Sequence, residues 1–260
     1  MSFVEAMKGR SAERYADFFL PHLRPDDRVL DCGCGMGTIT VGLARYVPEG
    51  SVVGIDIESN EFQPAIEYLE QEGIDNINFR EASMLDLPFA TETFSACFCH
   101  SAIETLDDPI RALQEVQRVL KPGGLIGVAC VEYEGVLLAG AQESRLRKFY
   151  AVREQLWQLE HVADPRRGKH LRKLLHSAGY GEVKAQATYL SYGDHDEVAM
   201  FGTSRTADCD DPGYVEGAVK HGLLTRDELK EIQAAWQEWS QADDSFAAFT
   251  WCRATGRKIN

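Results

Sequence analysis

The sequence predicts an α/β fold in which a mostly parallel sheet carries helices on both faces. Three observations predict it. Short apolar runs alternate with helix-period segments from Arg28 to Val131. The first run empties into a glycine-rich turn, Gly33 to Gly37, that opens a helix. The second run ends on an acid, Asp56. Strands that alternate with helices come back parallel, because each crossover returns the chain to the same end of the sheet.

The elements follow in order. Ser11–Leu20 is amphipathic at helical spacing, and Pro21 and Pro25 punctuate it, so residues 1–25 are expected to form a helical lid before the domain proper. Strands are expected at Arg28–Cys32, Ser51–Asp56, Ile77–Glu81, Phe94–His100 and Leu125–Val131. Helices are expected at Thr38–Val47, Pro64–Glu72 and Pro109–Leu120. Pro64 suits a first helical turn and Gly73 an ending, while Lys121-Pro122-Gly123-Gly124 stops the third helix. After residue 131 the rhythm breaks. Gln142–His161 and Gly168–Ser177 read as helices, Gly181–Tyr192 as a strand, Glu197–Ser240 as mostly helical and Phe246–Thr255 as a last strand. Thr225 with Glu228 three residues on is a capping-box pattern. One domain over 1–260 is expected: a core at 26–131, a helical cap at 132–178 and 193–245, and closing strands at 181–192 and 246–256.

Bulk properties narrow the partners. The chain has 260 residues, 44% hydrophobic and 26% charged, which is ordinary globular composition. Its formal net charge is -14. So acidic a surface repels phosphate backbones and anionic lipid, which argues against nucleic-acid and membrane partners. Neither a leader pattern at Met1-Ser2-Phe3-Val4-Glu5 nor an apolar run of spanning length is visible, so a cytoplasmic protein is expected. Seven cysteines, an odd number, fit reduced thiols better than a disulfide framework. The pairs Cys32/Cys34 and Cys97/Cys99 lie in or beside strands, where small apolar thiols are common, and no metal site is expected from them.

The chemistry concentrates in Val29-Leu30-Asp31-Cys32-Gly33-Cys34-Gly35-Met36-Gly37-Thr38. Glycines there permit positive φ and close approach of backbone to a ligand, and the helix start offers N–H groups to an anion. The spacing is G-x-G-x-G. A dinucleotide fingerprint would place its third glycine where Thr38 stands, which disfavours a nicotinamide enzyme. Asp56, in Gly54-Ile55-Asp56-Ile57, can accept bonds from both ribose hydroxyls of an adenosine.

Taken with Ala82-Ser83-Met84-Leu85-Asp86-Leu87-Pro88-Phe89, with Phe94 to Leu106 and with Arg118-Val119-Leu120-Lys121-Pro122-Gly123-Gly124, these segments resemble class I methyltransferases, especially the UbiE-like or "type 11" group. The resemblance holds in register over about residues 10–130 and more weakly beyond, at Asp164–Leu171 and Ala178-Gly179-Tyr180. It implies a Rossmann-like, seven-stranded sheet with a reversed last hairpin, and S-adenosyl-L-methionine as cofactor. It implies that Asp31, Gly33, Cys34, Gly35 and Gly37 hold the methionyl end and that Asp56 binds the ribose. Ile57 and Met84 would sandwich the adenine, Ser83 would meet its amino group, and backbone around Cys99 and His100 would line the sulfonium. The chain departs from the pattern at Ser83, where relatives usually carry Asp, and at Thr105, where a histidine is frequent.

The implied reaction moves a methyl group to an O, N or C nucleophile of a small molecule, and alignment supplies most of the rate. His100, at the tip of its strand, leads the candidates for a general base, followed by Glu104 and Tyr133. Tyr15, Tyr150, Trp157, Tyr192 and His195 are candidates for holding the acceptor, since aromatic faces suit a planar or cationic molecule. A monomer or homodimer is expected. The rival readings are a cofactor-binding regulator without catalysis and a methyltransferase acting on protein.

Overall fold

The computed structural model describes Phe3, Met7 and residues 9–259. Residues 1, 2, 4–6 and 8 of the expected N-terminal helix lie outside the described residues.

Seven strands form one sheet in the order β3-β2-β1-β4-β5-β7-β6. They are β1 Arg28–Cys32, β2 Ser51–Asp56, β3 Ile77–Glu81, β4 Phe94–His100, β5 Leu120–Ala139, β6 Tyr180–Tyr192 and β7 Phe246–Lys258. The pairs β1–β2, β2–β3, β1–β4 and β4–β5 are all parallel. The first four strands have the bounds that the apolar runs predict. Parallel interior strands are covered on both faces, so every residue of β1 after Arg28 is buried. That continuous burial is what made the runs visible in sequence.

Strand order reverses beside β1. The chain goes outward to β2 and β3, then returns to build β4 and β5 on the other side. At such a switch point the segments leaving β1 and β4 diverge and open a crevice at the carboxyl end of the sheet.

Several elements differ from the sequence reading, three of them by more than a few residues at an end. The helix expected over Ser11–Leu20 is a single turn, Ala12–Tyr15, capped by Ser11, followed by a 3-10 turn at Leu20–His22. Tertiary contacts draw the chain out of helix there. Phe19 packs 5.3 Å from the Phe98 ring, and Asp17 pairs with Arg253 at 2.7 Å. The fifth strand runs Leu120–Ala139 rather than Leu125–Val131: Leu120 pairs with Phe94, with a register shift between Phe94 and Ala96, and residues 132–139 of the expected helical cap are strand. The region 197–240 comprises three helices, His195–Asp208, Pro212–Lys220 and Arg226–Trp239. The last starts at the predicted capping box.

The chain divides into two compact units. The first holds Met1–Cys130, Arg167–Gln186 and Cys252–Asn260, and the second holds Val131–Arg166 and Ala187–Trp251. In the first, Leu30, Ile55, Cys97, Val116 and Val128 belong to one core cluster. In the second, Phe149, Tyr214, Trp236 and Trp239 are the large buried side chains of another. Among the described residues no helix is long and apolar enough to cross a membrane.

Candidate active site

The glycine turn is built by protein contacts. Gly33, Gly35 and Gly37 have φ of 70°, 52° and 82°, a left-handed region that side chains disfavour. A Cβ on Gly33 would stand 2.4 Å from the Ala102 methyl, and one on Gly37 would stand 2.5 Å from the Phe79 ring. These two glycines are therefore required by neighbouring side chains, a reason the sequence reading did not contain. The N–H groups of Gly33 and Cys34 both donate to the Ile55 carbonyl, at 2.8 and 3.0 Å. The turn is thereby tied to the end of β2.

Asp56 completes that tie. Its Oδ2 accepts from the Gly35 N–H at 2.8 Å and its Oδ1 from the Glu58 N–H at 3.2 Å. A carboxylate offers about four lone-pair directions, so acceptor capacity remains for two hydroxyls. Ile57 follows with 67% of its surface exposed, an apolar patch beside the acid. This is the chemistry an adenosine needs. Ser83 forms an isolated bridge with Asp86, and its hydroxyl accepts from the Leu85 N–H at 3.2 Å. Met84 is buried, with its sulfur 4.0 Å from the Cys99 thiol.

Asp31 is only 2% exposed, and Thr40 donates to its Oδ2 at 2.7 Å. Burial pushes the Asp31 carboxyl up to about 7, against the opposing pull of the Thr40 hydroxyl and the Arg10 charge. Asp31, Gly33, Cys34, Thr38 and His100 line one small cleft together with Arg10. Four of the expected cofactor residues thus come together at the switch point.

His100 ends β4 in that cleft and is 4% exposed. Its Nδ1 lies 2.8 Å from an Arg10 guanidinium nitrogen. A guanidinium only donates, so Nδ1 accepts and the ring proton sits on Nε2. Burial, reinforced by Arg10 and Arg253, drives the His100 proton affinity well below that of an ordinary histidine. The Tyr15 ring meets the imidazole edge-on at 4.8 Å. A neutral ring whose free lone pair is already taken cannot accept a proton in this arrangement. The expected general-base role of His100 therefore finds no support in its geometry.

Glu104 sits in a 3-10 turn, Ile103–Thr105, and is 7% exposed. Burial raises the affinity of its carboxyl for a proton, partly offset by its backbone contacts, the Cys130 thiol, Arg10 and Arg167. Cys32, Cys97, Cys99, Cys130 and Cys209 are buried, and Cys34 and Cys252 are half-buried. Cys32 and Cys97 lie 3.7 Å apart on adjacent strands, and burial raises both. Among the described residues no group of His, Cys, Asp and Glu could hold a metal ion.

Tyr133, Tyr150, Trp157, Tyr192 and His195 all belong to the second unit. Tyr150 is 4% exposed and packed against Phe149, Trp236 and Phe249, which makes it core rather than an acceptor contact. Tyr133 meets Trp157 edge-on at 5.2 Å, and Tyr192 stacks on Phe201 at 4.3 Å. His195 opens a helix whose N-cap is Asp194, so that acid serves the Glu197 N–H at 2.8 Å.

Arg10, which lines the cleft, and Thr40, which bonds to Asp31, escaped the sequence reading. Thr40 carries a weak signal, since a hydroxyl one turn into the helix after Gly37 can reach back to β1. Arg10 carries none, because nothing in its local sequence says that it will meet the end of β4, 90 positions on.

The family model described as a methyltransferase domain matches residues 23–179. An uncharacterised methyltransferase of Schizosaccharomyces pombe is 30% identical over 251 residues, covering 92% of this chain and 87% of the relative. A demethylmenaquinone methyltransferase of Lactococcus lactis is 30% identical over 171 residues, covering 61% of this chain and 67% of its own. The solved structure of the YcgJ protein of Bacillus subtilis shares the fold with a TM-score of 0.61 at 18% identity, over 94% of this chain and 97% of that one. The chain belongs to the methyltransferase domain family, as a class I S-adenosylmethionine-dependent methyltransferase of the UbiE-like group.

Proposed function

We propose that this chain moves the methyl group of S-adenosyl-L-methionine to an O, N or C nucleophile of a small-molecule acceptor by in-line displacement. One observation carries the reading. Asp31, the glycine turn and His100 share a cleft at the switch point, and Gly35 links that turn to the acid ending β2.

When bound, the cofactor supplies a sulfonium-activated methyl whose carbon–sulfur bonding pair leaves on the thioether sulfur. The residues here supply position. Asp31 would meet the ammonium of the methionyl tail, Asp56 would clasp the ribose, and Ile57 and Met84 would sandwich the adenine with Ser83 near its amino group. The Cys99 and His100 backbone borders the sulfur. Holding the two reactants aligned is worth up to ~7–11 kcal/mol of the barrier. Glu104 is the candidate for taking a proton from the acceptor, because a buried carboxylate is a stronger base than an exposed one. Tyr133 is the second candidate. Tyr15 in the first unit, and Trp157, Tyr192 and the exposed His195 in the second, are the candidates for contacting the acceptor. The acidity of the chain favours a neutral or cationic acceptor over nucleic acid. A monomer or homodimer acting in the cytoplasm completes the reading.

Calorimetry with S-adenosylmethionine and its demethylated product tests the cofactor. A labelled-methyl assay over phenols, amines and carbon acids tests the acceptor. Binding of both adenosyl ligands with turnover on at least one small molecule is the expected result. Binding with no turnover on the panel would favour a regulator, and label transferred to protein alone would favour a protein substrate.

A further inference from the structure

Asp31 lines the cleft at the switch point, and Asp56, bonded to the glycine turn through the Gly35 N–H, is near enough to raise the proton affinity of Asp31 and of Cys34. An amino-acid zwitterion entering there brings its own carboxylate. Without a cation beside it, that carboxylate would be repelled by both acids. The only permanently cationic side chain lining the cleft, among the described residues, is Arg10. Arg253 of the same unit is committed elsewhere, to Asp17 at 2.7 Å and to the Arg14 carbonyl at 3.4 Å.

Arg10 is also suited in shape. Its guanidinium carries five N–H donors in a planar fork. His100 Nδ1 engages one of its two terminal nitrogens, at 2.8 Å. That contact fixes the fork over the cleft and leaves donors on the remaining nitrogens. A planar fork matches a carboxylate with two parallel hydrogen bonds, which an ammonium cannot do. The histidine at the end of β4 thus acquires a use its chemistry as a base does not provide. It orients an arginine.

We propose that Arg10 is a cofactor-binding residue whose guanidinium, oriented by His100, pairs with the carboxylate of the methionyl tail while Asp31 pairs with its ammonium. The inference rests on the methyl-transfer reading above and assigns His100 as a positioning residue.

The test uses two ligands on the full chain. S-adenosylhomocysteine carries the amino-acid tail, and 5′-methylthioadenosine lacks it. Arg10→Ala is expected to weaken S-adenosylhomocysteine by about ten- to a hundredfold, the usual range for a hydrogen bond to a charged group. It should leave 5′-methylthioadenosine within about twofold. Arg10→Lys should recover part of the loss, because it keeps the charge and loses the fork. His100→Asn should weaken the tailed ligand several-fold and spare the tailless one. Asp56→Ala serves as the contrast, since it should weaken both ligands alike. Equal loss for both ligands in Arg10→Ala, or no loss for either, overturns the proposal while the cofactor reading stands. Failure of the unmodified protein to bind either ligand overturns the cofactor reading and takes the proposal with it.

Discussion

Thr40 donates its hydroxyl proton to Asp31 Oδ2 at 2.7 Å, inside a core where both side chains are almost fully buried. This one bond holds a carboxyl group at the floor of the cofactor cleft against the cost of its burial. Replacing Thr40 with Val keeps the shape and removes the donor. The change should cost about 1–3 kcal/mol of stability, because it strands a buried acceptor. Urea unfolding at neutral pH measures it. A loss below about 0.5 kcal/mol would mean that Asp31 finds another donor.

Asp31 also sets a pH dependence. In the folded chain its carboxyl holds a proton up to about pH 7, whereas the unfolded chain releases it near 3.8, the ordinary aspartate value. Between these values the folded state binds the extra proton, so this group's contribution to stability falls as pH rises from about 4 to about 7. Asp31→Asn should abolish that slope and make the chain more stable than its parent at pH 8. The same variant should lose affinity for the ammonium-bearing cofactor. Unfolding curves of both proteins at pH 5 and pH 8 give the comparison. Parallel slopes in the two proteins would show that Asp31 does not carry the effect.

Gly33 and Gly37 cannot take a side chain. Each has positive φ, and a Cβ would meet Ala102 or Phe79 at 2.4 or 2.5 Å. Gly33→Ala or Gly37→Ala should destabilise the fold by on the order of 3 kcal/mol, combining backbone strain with overpacking. Gly73 has φ of 65° but nothing within 4 Å of its Cβ position. Gly73→Ala should therefore cost only the strain, about 1 kcal/mol. Thermal unfolding of the three variants separates the two contributions.

Asp56 accepts two backbone N–H bonds and is the proposed ribose clasp. Asp56→Asn keeps one acceptor oxygen and forfeits the negative charge. It should weaken adenosyl ligands by about tenfold or more while shifting the melting temperature little, since charged acceptors bond about twice as strongly as neutral ones. Unchanged affinity would remove Asp56 from the sugar.

At the far end of the chain, Thr225 and Glu228 satisfy each other's backbone N–H groups in a capping box. Thr225→Ala should destabilise the second unit's last helix by about 1 kcal/mol. Hydrogen exchange over Arg226–Trp239 reads this directly, and unaltered exchange there would show the cap to be idle.

The parallel half of the sheet, the glycine turn, the acid that ends β2 and the capping box were all legible in the chain before folding. Each is a local pattern with a local cause. A strand buried on both faces reads as an unbroken apolar run, a left-handed turn demands glycine, and a cap needs only three residues of chain. Tertiary structure alone decided the rest. It brought Arg10 to His100 across 90 positions, set Thr40 under Asp31, turned Tyr150 into core and broke the first helix in favour of Phe98 and Arg253. These outcomes depend on which surfaces meet once the sheet closes. No periodicity records that, because a long polar side chain spends its charge on whatever partner folding delivers.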